Sequence, residues 1–100
     1  MAEKMLNSYE TIFIIDGTYD EEAMKALQDK FTNLIAANGT VESIDEWGKR
    51  KLAYEINDRT EGFYVLVDFK ADGEFPKELD RQYKITEGIL RTIIIRKDEE

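Results

Sequence analysis

Residues 62–70 read Gly-Phe-Tyr-Val-Leu-Val-Asp-Phe-Lys, or GFYVLVDFK. Strand alternation sends Phe63, Val65, Val67 and Phe69 to one face and Tyr64, Leu66, Asp68 and Lys70 to the other. Ser8–Asp16 (SYETIFIID) is equally rich in β-branched and aromatic residues, and Gly17 ends it. Both stretches carry apolar residues on both faces, the pattern of central strands.

Working outward, Met24, Leu27, Phe31, Leu34 and Ile35 recur at three and four positions, an apolar helical stripe. Thr18-Tyr19-Asp20-Glu21 has capping-box spacing, with Asp20 as a competing N-cap, and Asn38-Gly39 is a stop, so the first helix is expected to run to about Ala37. From Thr40 a second strand begins, but Val41, Ile44 and Trp47 come every third residue. That spacing predicts a strand interrupted by a bulge, with Gly48 as the irregular point. Beyond it Leu52, Tyr54 and Ile56 share one face, and Lys49, Lys51, Ala53 and Glu55 the other. Asn57–Gly62 reads as a polar turn. Pro76 suits the first turn of a second helix in which Phe75, Leu79 and Tyr83 align. Gly88 ends that helix, and Leu90–Lys97 is the last strand.

The order β-α-β-β-α-β predicts an α+β, ferredoxin-like split β-α-β sandwich: a four-stranded antiparallel sheet with two helices on one face. Strands one and three take the centre, and strands two and four the edges. The other sheet face is left uncovered by the chain itself. At 100 residues one domain is expected over 1–100, with an ordered core of about 7–97 and a short acidic tail at 98–100.

Charge is unevenly spread. The formal net charge is -8. Residues 1–48 hold ten acids and three bases, whereas residues 49–100 hold twelve acids and eleven bases. Cations concentrate at Lys49-Arg50-Lys51 and again at Arg81, Lys84, Arg91, Arg96 and Lys97. An acidic chain is ordinarily a poor ligand for polyanions, because phosphate neutralisation dominates that affinity. The decisive matter is whether folding brings the two basic places together.

Several chemistries are excluded by residue type. With no cysteine and no histidine there is no disulfide framework, thiol nucleophile, soft metal site or imidazole base. The glycines are isolated, so no phosphate-cradling loop exists. Asp20-Glu21-Glu22 stands at a helix start, where acids complement the macrodipole. Acylphosphatase-like enzymes of this topology need an anion loop at the first strand–helix turn, and here that turn is Asp16-Gly17-Thr18-Tyr19-Asp20. Catalysis is not expected. The longest apolar runs, Ile12–Ile15 and Phe63–Val67, are too short to cross a bilayer, and a soluble intracellular protein is expected.

Gly48-x-Arg50-x-Leu52-Ala53-Tyr54, the Tyr9-Glu10 pair, Gly62-Phe63-Tyr64 and Leu90-Arg91 occur in this order on that topology. Together they resemble the bacterial small-subunit ribosomal protein S-six family over about Asn7 to Lys97. The resemblance implies a structural, non-enzymatic component of the cytoplasmic ribosome that needs no cofactor. It further implies pairing with ribosomal protein eighteen of the small subunit, as a heterodimer on the central domain of the small-subunit ribosomal RNA. Carried over, it makes Tyr9, Arg50 and Arg91 candidates for RNA contact, with Lys49 and Lys51 flanking and Arg96 in the C-terminal basic segment. Asn7-Ser8 stands where many members are basic, and Glu55 follows Tyr54 where many have proline or a base, which lowers the local positive potential.

Each candidate has a plainer reading beside it. Lys49, Arg50 and Lys51 suit an edge strand that blocks sheet-to-sheet pairing by charge. Tyr9 shares a face with Phe13 and Ile15, which points to core packing, and a hydroxyl bonded within the chain would remove it from the site. Trp47, Leu52 and Tyr54 are core residues or, on an edge strand, contacts for a partner protein. A ferredoxin-like regulatory or dimerisation module without RNA binding is the alternative to the ribosomal reading.

Overall fold

A computed structural model describes residues 6–56 and 59–97. The elements are β1 (Asn7–Asp16), α1 (Glu21–Asn38), β2 (Gly39–Ile56), β3 (Arg59–Ala71), α2 (Phe75–Ile85) and β4 (Ile89–Arg96). They form one antiparallel sheet in the order β2-β3-β1-β4, so the expected central and edge strands hold. The expected tail at 98–100 and part of the expected turn, residues 57 and 58, lie outside the described residues.

Both helices cover the same sheet face. Phe13 and Ile15 of β1 and Val65, Val67 and Phe69 of β3 meet Met24, Phe31 and Ile35 of α1 and Phe75, Leu79 and Tyr83 of α2 in one core. Its centre is aromatic. Phe13, Phe31 and Tyr83 meet pairwise, with ring centroids 5.6, 5.5 and 4.6 Å apart. Tyr83 is 2% exposed, and its hydroxyl lies 3.0 Å from the buried Thr11 hydroxyl, which itself donates to the Ile93 carbonyl at 3.0 Å. Burial pushes the Tyr83 phenol above its usual range, while the Thr11 bond acts in the opposite direction.

The helix ends have local causes. Asp20, the competing cap, is the N-cap of α1, and its carboxylate accepts from the Ala23 amide at 2.8 Å. Thr18 instead donates its amide and hydroxyl to Asp16. At the far end Gly39 is extended, not left-handed, and enters β2 directly. A Cβ there would stand 2.0 Å from the Lys70 carbonyl oxygen, so close strand approach requires glycine. The Asn38 side chain donates to the Leu34 carbonyl at 2.9 Å and closes the last turn. Pro76 lies in the first turn of α2, as its rigid φ suggests, and Asp72 accepts from the Glu74 and Phe75 amides.

Strand β2 differs from expectation in two ways. The register against β3 shifts twice in its first half, between Val41 and Ser43 as well as between Glu46 and Gly48. Each shift adds one residue: the first sets Val41 and Ile44 on the helix side three positions apart, and the second falls at Trp47, which lies on the opposite face. The predicted bulge at Gly48 is present, with φ at +84°, and a second occurs upstream. The β2–β3 hairpin is also longer than the polar turn implied, because β3 starts at Arg59 and pairs it with Ile56.

Along α2, Arg81 donates twice to Glu78 (3.0 and 2.7 Å) and Lys84 pairs with Asp80 at 2.9 Å. Hydrogen bonds from Arg81 and then Gln82 hold the Glu78 carboxyl at about 2, below its ordinary 4.5. A depressed carboxyl stabilises the fold fully above its unfolded value and loses that contribution as pH falls through its folded value. Glu78→Gln should therefore flatten the pH dependence of unfolding between 4.5 and about 2, with a small effect at neutral pH because the pair is exposed. Urea titrations across that window check it.

Two core variants separate packing from hydrogen bonding. Phe31→Ala removes the ring shared by Phe13 and Tyr83 and should cost about 3–5 kcal/mol. Tyr83→Phe keeps the ring and leaves Thr11 bonded to Ile93, so about 1 kcal/mol is expected from urea unfolding.

Candidate nucleic-acid interface

The face opposite the helices carries the features that the core does not use. Antiparallel partners share a face, so the register arranges this side in three rows. One runs Ser43, Asp68, Glu10, Ile95; the next Asp45, Leu66, Ile12, Ile93; the third Gly48, Tyr64, Ile14, Arg91. The first row is the polar end, where Ser43 donates to Asp68 at 3.0 Å and Lys97 pairs with Asp68 at 3.1 Å. The middle is apolar, with Ile93 46% exposed and Ile95, one row on, 48%. The third row is the aromatic and basic end.

At that end Trp47, the extra residue at the bulge, stands on the open face. Its indole stacks on Tyr64 (centroids 6.0 Å apart, planes 16° apart) and donates from Nε1 to Asp45 at 3.1 Å. Arg50, paired with Gly62, lies on the same face. Its guanidinium sits 5.8 Å from the indole centroid, and its Nε donates to the Trp47 carbonyl at 3.3 Å. The hairpin arm then bends over this end of the sheet. A Cβ on Gly62 would find Ile14 at 2.3 Å and Leu52 at 3.3 Å, so Leu52 lies over the central strands. Farther along the arm, the Arg91 guanidinium donates to the Tyr54 hydroxyl and stands 5.7 Å from the ring centroid. Ile12, Ile14, Trp47, Tyr64, Arg91 and Ile93 line a cavity of about 220 Å³ between them.

Folding therefore places Arg50 and Arg91 at the same end of the open face, on the two opposite edge strands β2 and β4. The other candidates go elsewhere. Lys49 pairs with Phe63 and Lys51 with Glu61, positions on the opposite side of the strand from Arg50. Both lysines are exposed there. Arg96 pairs with Tyr9 on the helix-side face, where its guanidinium donates to Asn7 at 3.3 Å. Tyr9 is 6% exposed and stacks on Phe69, with centroids 5.5 Å apart. Its hydroxyl accepts from Asn7 Nδ2 at 3.2 Å, so it is committed within the chain and Tyr9 has a packing role.

Of the expected partner-contact residues, Trp47 and Tyr54 are 37% and 60% exposed, and Leu52 is half-buried. Sequence reasoning did not single out Ile93 and Ile95 as surface, although Thr92–Ile95 alternates about a buried-side Ile94. Nor did any local signal join Tyr54 to Arg91, since 37 residues separate them.

The acidic first half gathers on the other side. Asp20, Glu21, Glu22, Asp29 and Glu46 line a groove of about 870 Å³ beside Phe63. Among the described residues, no group of three or more His, Cys, Asp or Glu side chains could hold a metal ion. No described helix is long and apolar enough to cross a membrane.

Comparison with known proteins gives one answer. The family model described as Ribosomal protein S6 matches residues 8–96. The small ribosomal subunit protein bS6 of Clostridium perfringens is 53% identical over 95 residues, covering 94% of this chain and all of that protein. That of Alkaliphilus oremlandii is 50% identical over 91 residues, covering 91% of this chain and 97% of that protein. Among solved structures, the 30S ribosomal protein S6 of Thermotoga maritima superposes with a TM-score of 0.87 at 32% identity, over 93% of this chain and 89% of that one. The open-faced sandwich and its four ordered motifs are thus accounted for together: the chain belongs to the ribosomal protein S6 family, whose members are structural, non-enzymatic components of the small ribosomal subunit.

Proposed function

We propose that this chain helps to hold the central domain of the small-subunit ribosomal RNA, and that it does so as a heterodimer with ribosomal protein eighteen of the small subunit. Its place of work is the cytoplasmic ribosome, as for its family. The observation that carries the RNA contact is that Arg50 and Arg91, on opposite edge strands, lie at one end of the same open sheet face. Guanidinium groups present a planar fork that matches phosphate oxygens two at a time.

The contact set is narrower than the six residues the sequence suggested. Arg50 and Arg91 make the contact. Lys49 and Lys51, on the opposite side of the strand, add long-range positive potential, while Arg96 and Tyr9 face the helix side. The partner protein covers the adjoining apolar row and the arm, through Trp47, Leu52 and Tyr54. A basic partner suits the acidic groove by α1 and offsets the net charge of -8 that would otherwise oppose RNA.

Arg50→Ala should weaken binding of the heterodimer to a central-domain transcript by about 1.5 kcal/mol, roughly tenfold. The slope of log affinity against log salt should become shallower by about 0.9, the share of one phosphate contact. An unchanged slope for both Arg50→Ala and Arg91→Ala would leave the arginines as solubilising charge. Sedimentation as a free dimer, away from small subunits at moderate salt, would favour a regulatory or dimerisation module instead.

A further inference from the structure

We propose that Trp47 and Tyr54 are positioning residues for the arginine pair, each ring fixing one guanidinium on the open face before any phosphate arrives. The proposal rests on the RNA-contact reading of Arg50 and Arg91 and says how that contact is prepared.

Trp47 is itself held on two sides, by the Tyr64 stack and by the bond from its Nε1 to Asp45. The bulge at this point brings Arg50 to the same face. Gly48 has φ at +84°, and a Cβ there would meet nothing within 4 Å, so backbone conformation and not crowding calls for glycine. On this anchored ring Arg50 is fixed twice, through the ring face at 5.8 Å and through Nε to the Trp47 carbonyl at 3.3 Å. Arg91 is held by Tyr54 through the hydroxyl, with its guanidinium 5.7 Å from the ring centroid. Neither ring is needed to fill the core, because 37% of Trp47 and 60% of Tyr54 stay exposed.

An arginine on an exposed strand ordinarily samples many rotamers and loses that freedom when it binds. Stacking on an aromatic face restricts the guanidinium plane yet leaves its in-plane N–H groups directed outward. Part of the ordering cost of phosphate recognition is thereby met in folding. The hairpin arm has a defined purpose in this scheme: it carries Tyr54 to β4, which no residue of the neighbouring strands supplies.

The test has two arms. In the free protein, nuclear relaxation of the arginine Nε–Hε groups should show Arg50 losing order in Trp47→Leu and Arg91 losing order in Tyr54→Leu. Tyr54→Phe, which keeps the ring but removes the hydroxyl that Arg91 bonds, should lower Arg91 order as well. Arginine order unchanged in both leucine variants overturns the proposal, whatever the RNA does. In the second arm, the heterodimer is titrated with the central-domain transcript. Trp47→Leu should weaken binding roughly three- to fivefold, but by less than about 1.5-fold when Arg50 is already Gln. Tyr54→Leu and Arg91→Gln should show the same coupling. Penalties that simply add overturn the positioning role. Arg50→Gln and Arg91→Gln variants that bind as well as the parent overturn the contact reading, and that failure is told apart by the silent arginine variants themselves.

Discussion

The structure depends on one packing event: Phe13, Phe31 and Tyr83 meet at 4.6–5.6 Å and draw both helices onto the same side of β1. Tyr83 is further tied by its hydroxyl to Thr11 of that strand. With both helices committed to one face, the other is covered among the described residues only at one end, by the hairpin arm. The exposed side is therefore a consequence of the core, and the apolar residues that β1, β3 and β4 place there remain available.

What this face does is set by the edge strand. A regular β2 would continue the alternation of Asp45 and Glu46, leaving Trp47, Lys49 and Lys51 on the open side and Arg50 on the helix side. The extra residue before Gly48 reverses the alternation beyond it, while Trp47 stays on the open face, stacked on Tyr64. Arg50 follows on the same side, while Lys49 and Lys51 point away. Three consecutive cations are thus divided by strand geometry into one arginine aimed at the open surface and two lysines that contribute potential. Charge elsewhere is largely matched locally. Arg81 and Lys84 pair within α2, and Lys97 pairs with Asp68.

The division of the open face also resolves how a chain of net charge -8 can serve an RNA particle. Acids gather along the polar end of the sheet and, on the helix side, in the groove at the start of α1, whereas the arginines stand on the open face at the other end of the sheet. Affinity for phosphate depends on local charge within about a Debye length, roughly 8–10 Å at cellular salt, more than on the sum over the molecule. Segregation of sign between the two faces at that end leaves the open face with a local positive patch.

The sequence by itself determined the element order, the two central strands, the core stripes of both helices and the bulge at Gly48. These follow from periods of 2 and 3.6 and from the conformational demands of glycine and proline, which are local properties. It also carried the motif set that marks the family. Only the tertiary structure decided that Arg50 and Arg91 share an end, that Arg96 turns to the helix side, and that Tyr54 reaches Arg91 across 37 residues. Those outcomes depend on strand register, a second bulge after Val41 and the bend of a long hairpin. A one-residue shift in any of them reverses the face of every side chain beyond it, and no pattern within a single strand records that choice.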